Sequence, residues 1–467
     1  MTCLPCPVSV AARRFAPRIA VETKTGGKSF LELDRDVTRA RLRFSELGIT
    51  AGERVVIQAE NSYSLICAVW ALFRIRAVAC LINPRWPEVA VQNAAKSVDA
   101  RFVFTELEAL PFNLSTQETM PVENDDLSPP TVDDRVFATI VFSSGSTGSP
   151  KAIVHDLKAH LANAKGANEN LPLATEDRWL LSLPLCHVAG YGILFRCILA
   201  GASVTLADPN RHLLEMLRDD RISHVSVVPT QFQQLSASLT PPPTTLQALL
   251  LGGNAWSSRQ VSAAVDRGWP IYTTYGLSEM ASQVTTSPNV VGVETVGTAG
   301  KILSRRQLRI ADDNEILVRG ETLFRGYLSH RSVELPVDSN GWFHTRDRGE
   351  LDGDGCLKVL GRKDLMFISG GENIYPEEIE FWLQELPAIQ SAVVVSVPDP
   401  IFGHRPIAFV AAERQQPEIW RHALTQSLPK FKVPDHFYPW PESCRRDLKP
   451  DRRQLADLAI KLSAGES

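Results

Sequence analysis

The chain has 467 residues, too many for one compact core and enough for two to four units of about 100–200 residues each. Hydrophobic residues make up 44% and charged residues 22%, the balance of an ordinary globular protein, and a net charge of -4 supplies no basic field to draw nucleic acid or an anionic membrane. Of the 8 cysteines only Cys3 and Cys6, in C-L-P-C, stand close together, and a metal or redox site needs a second pair; free thiols in a reducing cytoplasm are expected.

The N-terminal stretch through Arg14 is broken by prolines and has its arginines after the apolar residues, the reverse of a secretory signal. Arg13, Arg14 and Arg18 precede the first acid, Glu22, as in a transit peptide, but the globular pattern begins at once. Residues 30–47 read as a helix with Leu31, Val37, Leu42 and Leu47 toward one side and Gly48 as its stop. Arg54–Ile57 reads as a buried strand, and Leu65–Leu81 as a helix followed by a strand, the alternation of βαβ units around a parallel sheet. The most apolar region, Cys67–Ile82, contains Arg74 and Arg76 and is too short to cross a bilayer, so no membrane insertion is expected. Residues 121–134 are acidic and proline-rich, an exposed connection, and the strand Val136–Phe142 follows. A second break falls near 361–371, after a strand over Cys356–Leu360. Pro376, Glu377 and Glu378 open a helix with Ile379, Trp382, Leu383 and Leu386 as its apolar face. Strands Ala392–Val397 and Ile407–Ala412 come next. The expected fold is α/β: a body over residues 1–361, with mixed sheets and helices in βαβ layers, and a small mobile α+β cap over 362–467.

The stretch S-S-G-S-T-G-S-P-K has the chemistry of a triphosphate cradle. Gly145 and Gly148 let backbone N–H groups approach phosphate oxygens, Ser143, Ser144, Ser146 and Thr147 add hydroxyls, and Lys151 adds a mobile charge. Because it follows an apolar strand, the loop is expected at that strand's C-terminal end, where open α/β sheets bind ligands. It is not a Walker A loop, since Gly148 is followed by Ser149, Pro150 and Lys151 and not by Lys and Ser/Thr.

With this loop the sequence resembles the superfamily of acyl-CoA synthetases, peptide adenylation domains and luciferases, and the likeness runs in order from about Phe30 to Leu455. The resemblance implies the following roles. In Y-G-L-S-E, Tyr275 and Gly276 meet adenine, Ser278 meets phosphate, and Glu279 holds Mg²⁺, a hard cation suited to carboxylate. Gly253 and Asn254, closing L-L-L-G-G-N, line the adenine side. Asp347 of T-R-D accepts from the ribose, with Arg346 in place of the family's glycine. In G-R-K-D, Arg362 contacts ribose and Asp364 is the hinge about which the cap turns between adenylating and thioester-forming poses. Gly370 and Gly371 line the pantetheine channel. Near the C-terminus Lys449, Arg452 and Leu455 follow the family's K-x-x-R-x-x-L, whose lysine serves the first half-reaction; Leu448 stands where glycine is usual and Pro450 follows.

Among subfamilies, W-L-L-S-L-P-L-C-H-V-A-G (179–190), V-P-T-Q (228–231), T-R-D-R-G-E (345–350), I-S-G-G-E-N-I-Y-P-E-E-I-E (368–380) and F-G-H-R-P (402–406) are most similar to the o-succinylbenzoate–CoA ligases of menaquinone and phylloquinone synthesis. His187 takes the position bordering the acyl pocket. The substrate of such a ligase is a dicarboxylate, and Arg196, nine residues on along a helix expected over Gly190–Ala200, is the candidate to read the second carboxylate. The implied partners are a small carboxylic acid, ATP, Mg²⁺ and coenzyme A. The same adenylation residues also serve ligases for other aryl or medium-chain acids, stand-alone adenylation enzymes and luciferase-type oxidases.

Overall fold

The computed structural model describes residues 3–105, 131–133, 136–143, 150–237, 240–253, 256–289, 296–329, 332–387, 389–441 and 451–463. Two large sheets dominate the N-terminal body. One runs, edge to edge, Lys301–Ile302, Ser282–Thr286, Ile271–Leu277, Ala248–Leu251, His224–Val227, Arg178–Leu181, Ser203–Leu206, Ile19–Thr23 and Gly26–Ser29. Its middle is parallel and both edges are antiparallel. The other runs Ser332–Glu334, Gly326–Ser329, Lys151–Asp156, Phe137–Ser143, Val78–Ile82, Arg54–Gln58 and Phe102–Phe104. Apolar faces of helices Phe30–Glu46, Tyr63–Ile75, Leu157–Asn170 and Val188–Ala200 meet in the largest core, where Trp70, Phe73 and Phe195 pack ring on ring. Among the described residues no helix is long and apolar enough to cross a membrane.

Helix Phe30–Glu46 starts as its sequence dictates. Ser29 accepts from the Glu32 N–H while the Glu32 carboxylate accepts from Ser29, which satisfies N–H groups the first turn would leave bare. Its buried face is Phe30, Leu33, Val37, Ala40 and Phe44. Leu31 and Leu47, expected on that face, are exposed; the helical pattern offered two apolar stripes, and the one carrying the phenylalanines is the one buried. Phe137–Ser143, Leu357–Arg362, Ile389–Asp399 and Gly403–Ala412 occupy the expected strands within a few residues, and the last two are longer than expected.

The C-terminal unit is a three-stranded sheet of Ile389–Asp399, Gly403–Ala412 and His436–Pro439, with a separate hairpin of Phe367–Ser369 and Glu372–Ile374. Strand alternation sorts its core. Ala392 and Val394 face helices Pro376–Gln384 and Pro417–Ser427, while Val393, Val395 and Val397 face helix Arg452–Ser463. Trp382, expected in the helix's apolar face, lies on its outer side beside Phe381, and Leu386 falls beyond the helix; Ile379 and Leu383 alone of the four are helical and buried. This unit meets the body through more than the chain connection. Glu385 accepts from the backbone N–H of Ser258 at 3.0 Å, at the start of helix Ser258–Val265, and Lys363 pairs with Asp313 and Glu315.

Candidate active site

Strands Phe137–Ser143 and Lys151–Asp156 are antiparallel, with Ser143 opposite Lys151. The Gly/Ser/Thr loop therefore joins a strand to its own returning neighbour. The sequence reading placed it at the C-terminal end of a strand in a parallel sheet; it does leave such a strand, but a return strand follows where an open α/β sheet has a helix, because the continuous buried apolar run Ala152–Val154 follows straight from Lys151. Ser144, Gly145, Ser146, Thr147 and Gly148 lie outside the described residues, as do Asn254 and Lys449. Ser143 and Lys151, the described ends of the loop, are held together by the ladder.

The Y-G-L-S-E stretch ends strand Ile271–Leu277 and turns through a 3-10 turn over Ser278–Met280. A bulge between Tyr275 and Gly276 bends the strand. A Cβ on Gly276 would lie 2.2 Å from the Ser282 carbonyl oxygen, so no other residue fits there. The turn is tied down from several sides. His155 meets the Ser278 carbonyl at 2.7 Å, the Phe324 N–H donates to the Glu279 carbonyl at 2.8 Å, and Asn163 donates to that of Met280 at 3.1 Å. A carbonyl only accepts, so His155 carries its proton on Nε2, and burial pushes its pKa down to about 4. Gly253, with φ +88°, lies two residues beyond the end of the neighbouring parallel strand Ala248–Leu251.

Tyr275 donates its buried hydroxyl to Asp347 at 2.7 Å. Asp347 in turn faces Arg362 across the ladder between Phe343–Leu351 and Leu357–Arg362, at 3.1 Å. Burial pushes the Asp347 carboxyl up, against the opposing charge of Arg362 and the hydroxyl of Tyr275. Arg362 also forks onto Asp364, with contacts of 2.8 and 3.0 Å. The expected adenine, ribose and hinge residues thus form one chain of contacts. Arg346, which replaces a family glycine, has φ 66°, the left-handed conformation that glycine adopts freely, and its N–H is received by Glu315 at 2.9 Å.

His187 is exposed at the start of helix Val188–Ala200, and Arg196 lies near its end, fully buried. The Arg196 guanidinium lies over the Trp179 ring at 5.0 Å and donates to the Gln283 side chain; its Nε has no partner. Among the described residues no acid pairs with it, and burial lowers its pKa to about 10. Gly192 stands one turn earlier, and a Cβ there would be 3.5 Å from the Arg196 guanidinium and 3.8 Å from the Ser282 hydroxyl, so the guanidinium lies against this turn of the helix and the strand Ser282–Thr286. A second buried arginine, Arg306, donates to the Gln283 carbonyl, and burial lowers its pKa to about 9. Sequence reading missed Arg306 and Gln283; R-R-Q carries no motif.

On the C-terminal unit, Gly370 and Gly371 have φ of 59° and 87°, and the Gly370 N–H donates to the Phe402 carbonyl at 2.9 Å. Arg452 is pinned to Glu380, with contacts of 2.5 and 2.7 Å, and to the Val394 carbonyl at 3.0 Å. Glu377 lies against Gly361 and accepts from the Arg362 N–H at 3.2 Å, while its other oxygen is buried without a partner. Burial, aided by the charge of Glu380, pushes this carboxyl up to about 7. A carboxyl raised in the folded state costs stability as pH climbs from its unfolded value through about 7. Glu377→Gln, which mimics the protonated acid, is expected to change the unfolding midpoint little at about pH 4 and to raise it relative to the parent at about pH 8. A constant difference between variant and parent across that range would refute the assignment.

Residues 8–328 match the model of the AMP-binding enzyme family, and residues 378–443 that of the AMP-binding enzyme C-terminal domain. The 2-succinylbenzoate–CoA ligase of Salmonella typhimurium is 35% identical over 425 residues, covering 88% of each chain. That of Haemophilus influenzae is 31% identical over 455 residues, covering 96% of each. The o-succinylbenzoate CoA synthetase of Bacillus subtilis in complex with the acyl-adenylate intermediate OSB-AMP has a TM-score of 0.87 at 25% identity, covering 97% of this chain and 98% of that one. The same protein in complex with ATP and magnesium ion gives 0.84 at 25% identity, covering 94% and 96%.

Proposed function

Since the chain belongs to the AMP-binding enzyme family, we propose that it is an AMP-forming acid–thiol ligase that activates o-succinylbenzoate with ATP and passes the acyl group to coenzyme A. The acid's carboxylate attacks the α-phosphorus of ATP and pyrophosphate leaves, giving the acyl adenylate. The thiol of coenzyme A then attacks the acyl carbonyl and AMP leaves, giving the thioester. No enzyme nucleophile takes part, so catalysis consists of positioning and charge neutralisation.

Tyr275, Gly253 and Asp347 are suited to hold the adenosine, with Arg362 beside the ribose. Lys151 and the loop before it are suited to the phosphates. Glu279 fits Mg²⁺, because among the described residues its carboxylate meets only a hydroxyl and no cation. When bound, Mg²⁺ supplies positive charge against the phosphates. Arg452, three residues after Lys449, is held by Glu380, and Asp364 follows the last body strand, where we place the boundary between a body ending at 361 and a cap beginning at 362. What supports that boundary is the packing: the apolar clusters of the body end at Leu357 and those of the cap begin at Phe367. Cys6, Cys67, Cys80, Cys186, Cys197 and Cys356 are free and buried, in keeping with a reducing cytoplasm.

The observation that carries the choice of acid is Arg196. A buried guanidinium without an acid partner is costly to a protein that never meets an anion there, and a second carboxylate would supply the missing charge. In acid-dependent ATP–pyrophosphate exchange, Arg196→Ala is expected to lose about 10–10²-fold with o-succinylbenzoate and little with a monocarboxylate aryl analogue. Equal loss with both acids, or none, means that another group reads the second carboxylate.

A further inference from the structure

One tyrosine joins the two charged groups assigned to the phosphates and their metal. Strand Gly326–Ser329 pairs antiparallel with Lys151–Asp156, with Tyr327 opposite Ile153. Side chains alternate along a strand, so Tyr327, Ile153 and Lys151 share one face. On that face the Lys151 ammonium lies 5.0 Å from the centre of the Tyr327 ring, and the Tyr327 hydroxyl donates to Glu279 Oε1 at 2.7 Å. The ring is held edge-on against Phe324 at 4.9 Å, and the Phe324 N–H holds the Glu279 backbone. Ring and carboxylate are thereby fixed to one short segment.

We propose that Tyr327 is a positioning residue of the nucleotide site: its ring seats the Lys151 ammonium, and its hydroxyl fixes one oxygen of Glu279 so that the other faces the metal that accompanies ATP. The inference rests on the reading of Lys151 as the phosphate cation and Glu279 as the metal carboxylate. The two halves of the role are separable. A phenylalanine keeps the face on which the cation sits and loses only the hydroxyl, whereas a leucine loses both. A purely structural tyrosine would weaken ATP binding alike with and without metal.

The experiment is calorimetric titration of ATP into the full chain without acid, once with excess Mg²⁺ and once with EDTA, for the parent, Tyr327→Phe, Tyr327→Leu and Glu279→Gln. Tyr327→Phe is expected to bind ATP as the parent does in EDTA and to lose about tenfold of the affinity gained from Mg²⁺. Tyr327→Leu is expected to lose a further about threefold in EDTA, where only the seat of Lys151 is at stake. Glu279→Gln is expected to abolish the gain from Mg²⁺. If Glu279→Gln loses that gain and Tyr327→Phe keeps it in full, or if Tyr327→Phe weakens binding equally in both conditions, Tyr327 has no positioning role. If Glu279→Gln keeps the gain, the metal reading of Glu279 itself falls, and the proposal with it.

Discussion

Lys449→Ala is expected to slow acyl-adenylate formation by about 10²–10³-fold, the scale found when one charged or polar donor is removed from a developing oxyanion. The attack on the α-phosphorus gathers charge on oxygens that a lysine can neutralise without itself changing protonation. Arg452, three residues on at the start of helix Arg452–Ser463, is bonded to both Glu380 and the Val394 carbonyl. Thioester formation from preformed acyl adenylate does not need that charge and is expected to proceed near the parent rate. Pyrophosphate exchange reads the first step, and thioester release from supplied acyl adenylate reads the second. A folded variant equally damaged in both steps would remove Lys449 from its assigned role.

Asp364→Pro is expected to separate the same two steps in another way. Asp364 sits in a 3-10 turn over Lys363–Leu365, whose usual φ of about -50 to -70° is the one a proline holds. Proline then fixes φ near -65°, about the value of that turn, and withdraws the freedom that a swing of the cap requires. The substitution also frees Arg362 from its fork onto Asp364 and leaves it with Asp347. Adenylation is expected to persist and overall turnover to thioester to fall by at least about tenfold, an estimate set by the loss of one obligatory conformational step. Turnover at the parent rate would show that the cap pivots elsewhere.

The parts of the site legible in sequence are those written contiguously. The loop from Ser143 to Lys151 and the Y-G-L-S-E stretch each write several groups of one chemistry within a few residues, and in the second the strand end and the 3-10 turn keep them together. The α/β class was legible for the same reason: apolar runs of strand length alternate with helical patterns. Tyr327 and Gln283 were not legible. Each matters through a partner on a distant strand or helix, and only strand register and helix packing bring them together. Arg196 is an intermediate case, since helix spacing pointed to it but could not say whether it met solvent, an acid or neither. Leu31, Leu47 and Trp382 show the limit of counting apolar spacings, because which of two stripes is buried is decided by the neighbouring element. Arg346 is the reverse case. The residue type departs from the family pattern, yet the backbone keeps the left-handed turn that the pattern implies.

The contact of Glu385 with the start of helix Ser258–Val265 bears on how the cap's poses are weighted. A helix start stripped of such an acceptor loses about 1 kcal/mol, a population ratio of roughly five. Lys363 adds an exposed pair with Asp313, worth at most about 1 kcal/mol, and a second contact with the buried Glu315. Contacts of this size tilt an equilibrium without locking it. On the reading of Asp364 as a hinge the cap leaves one pose and returns in each cycle, and for such a cap that shallowness is a kinetic asset: a deeper well here would slow the swing.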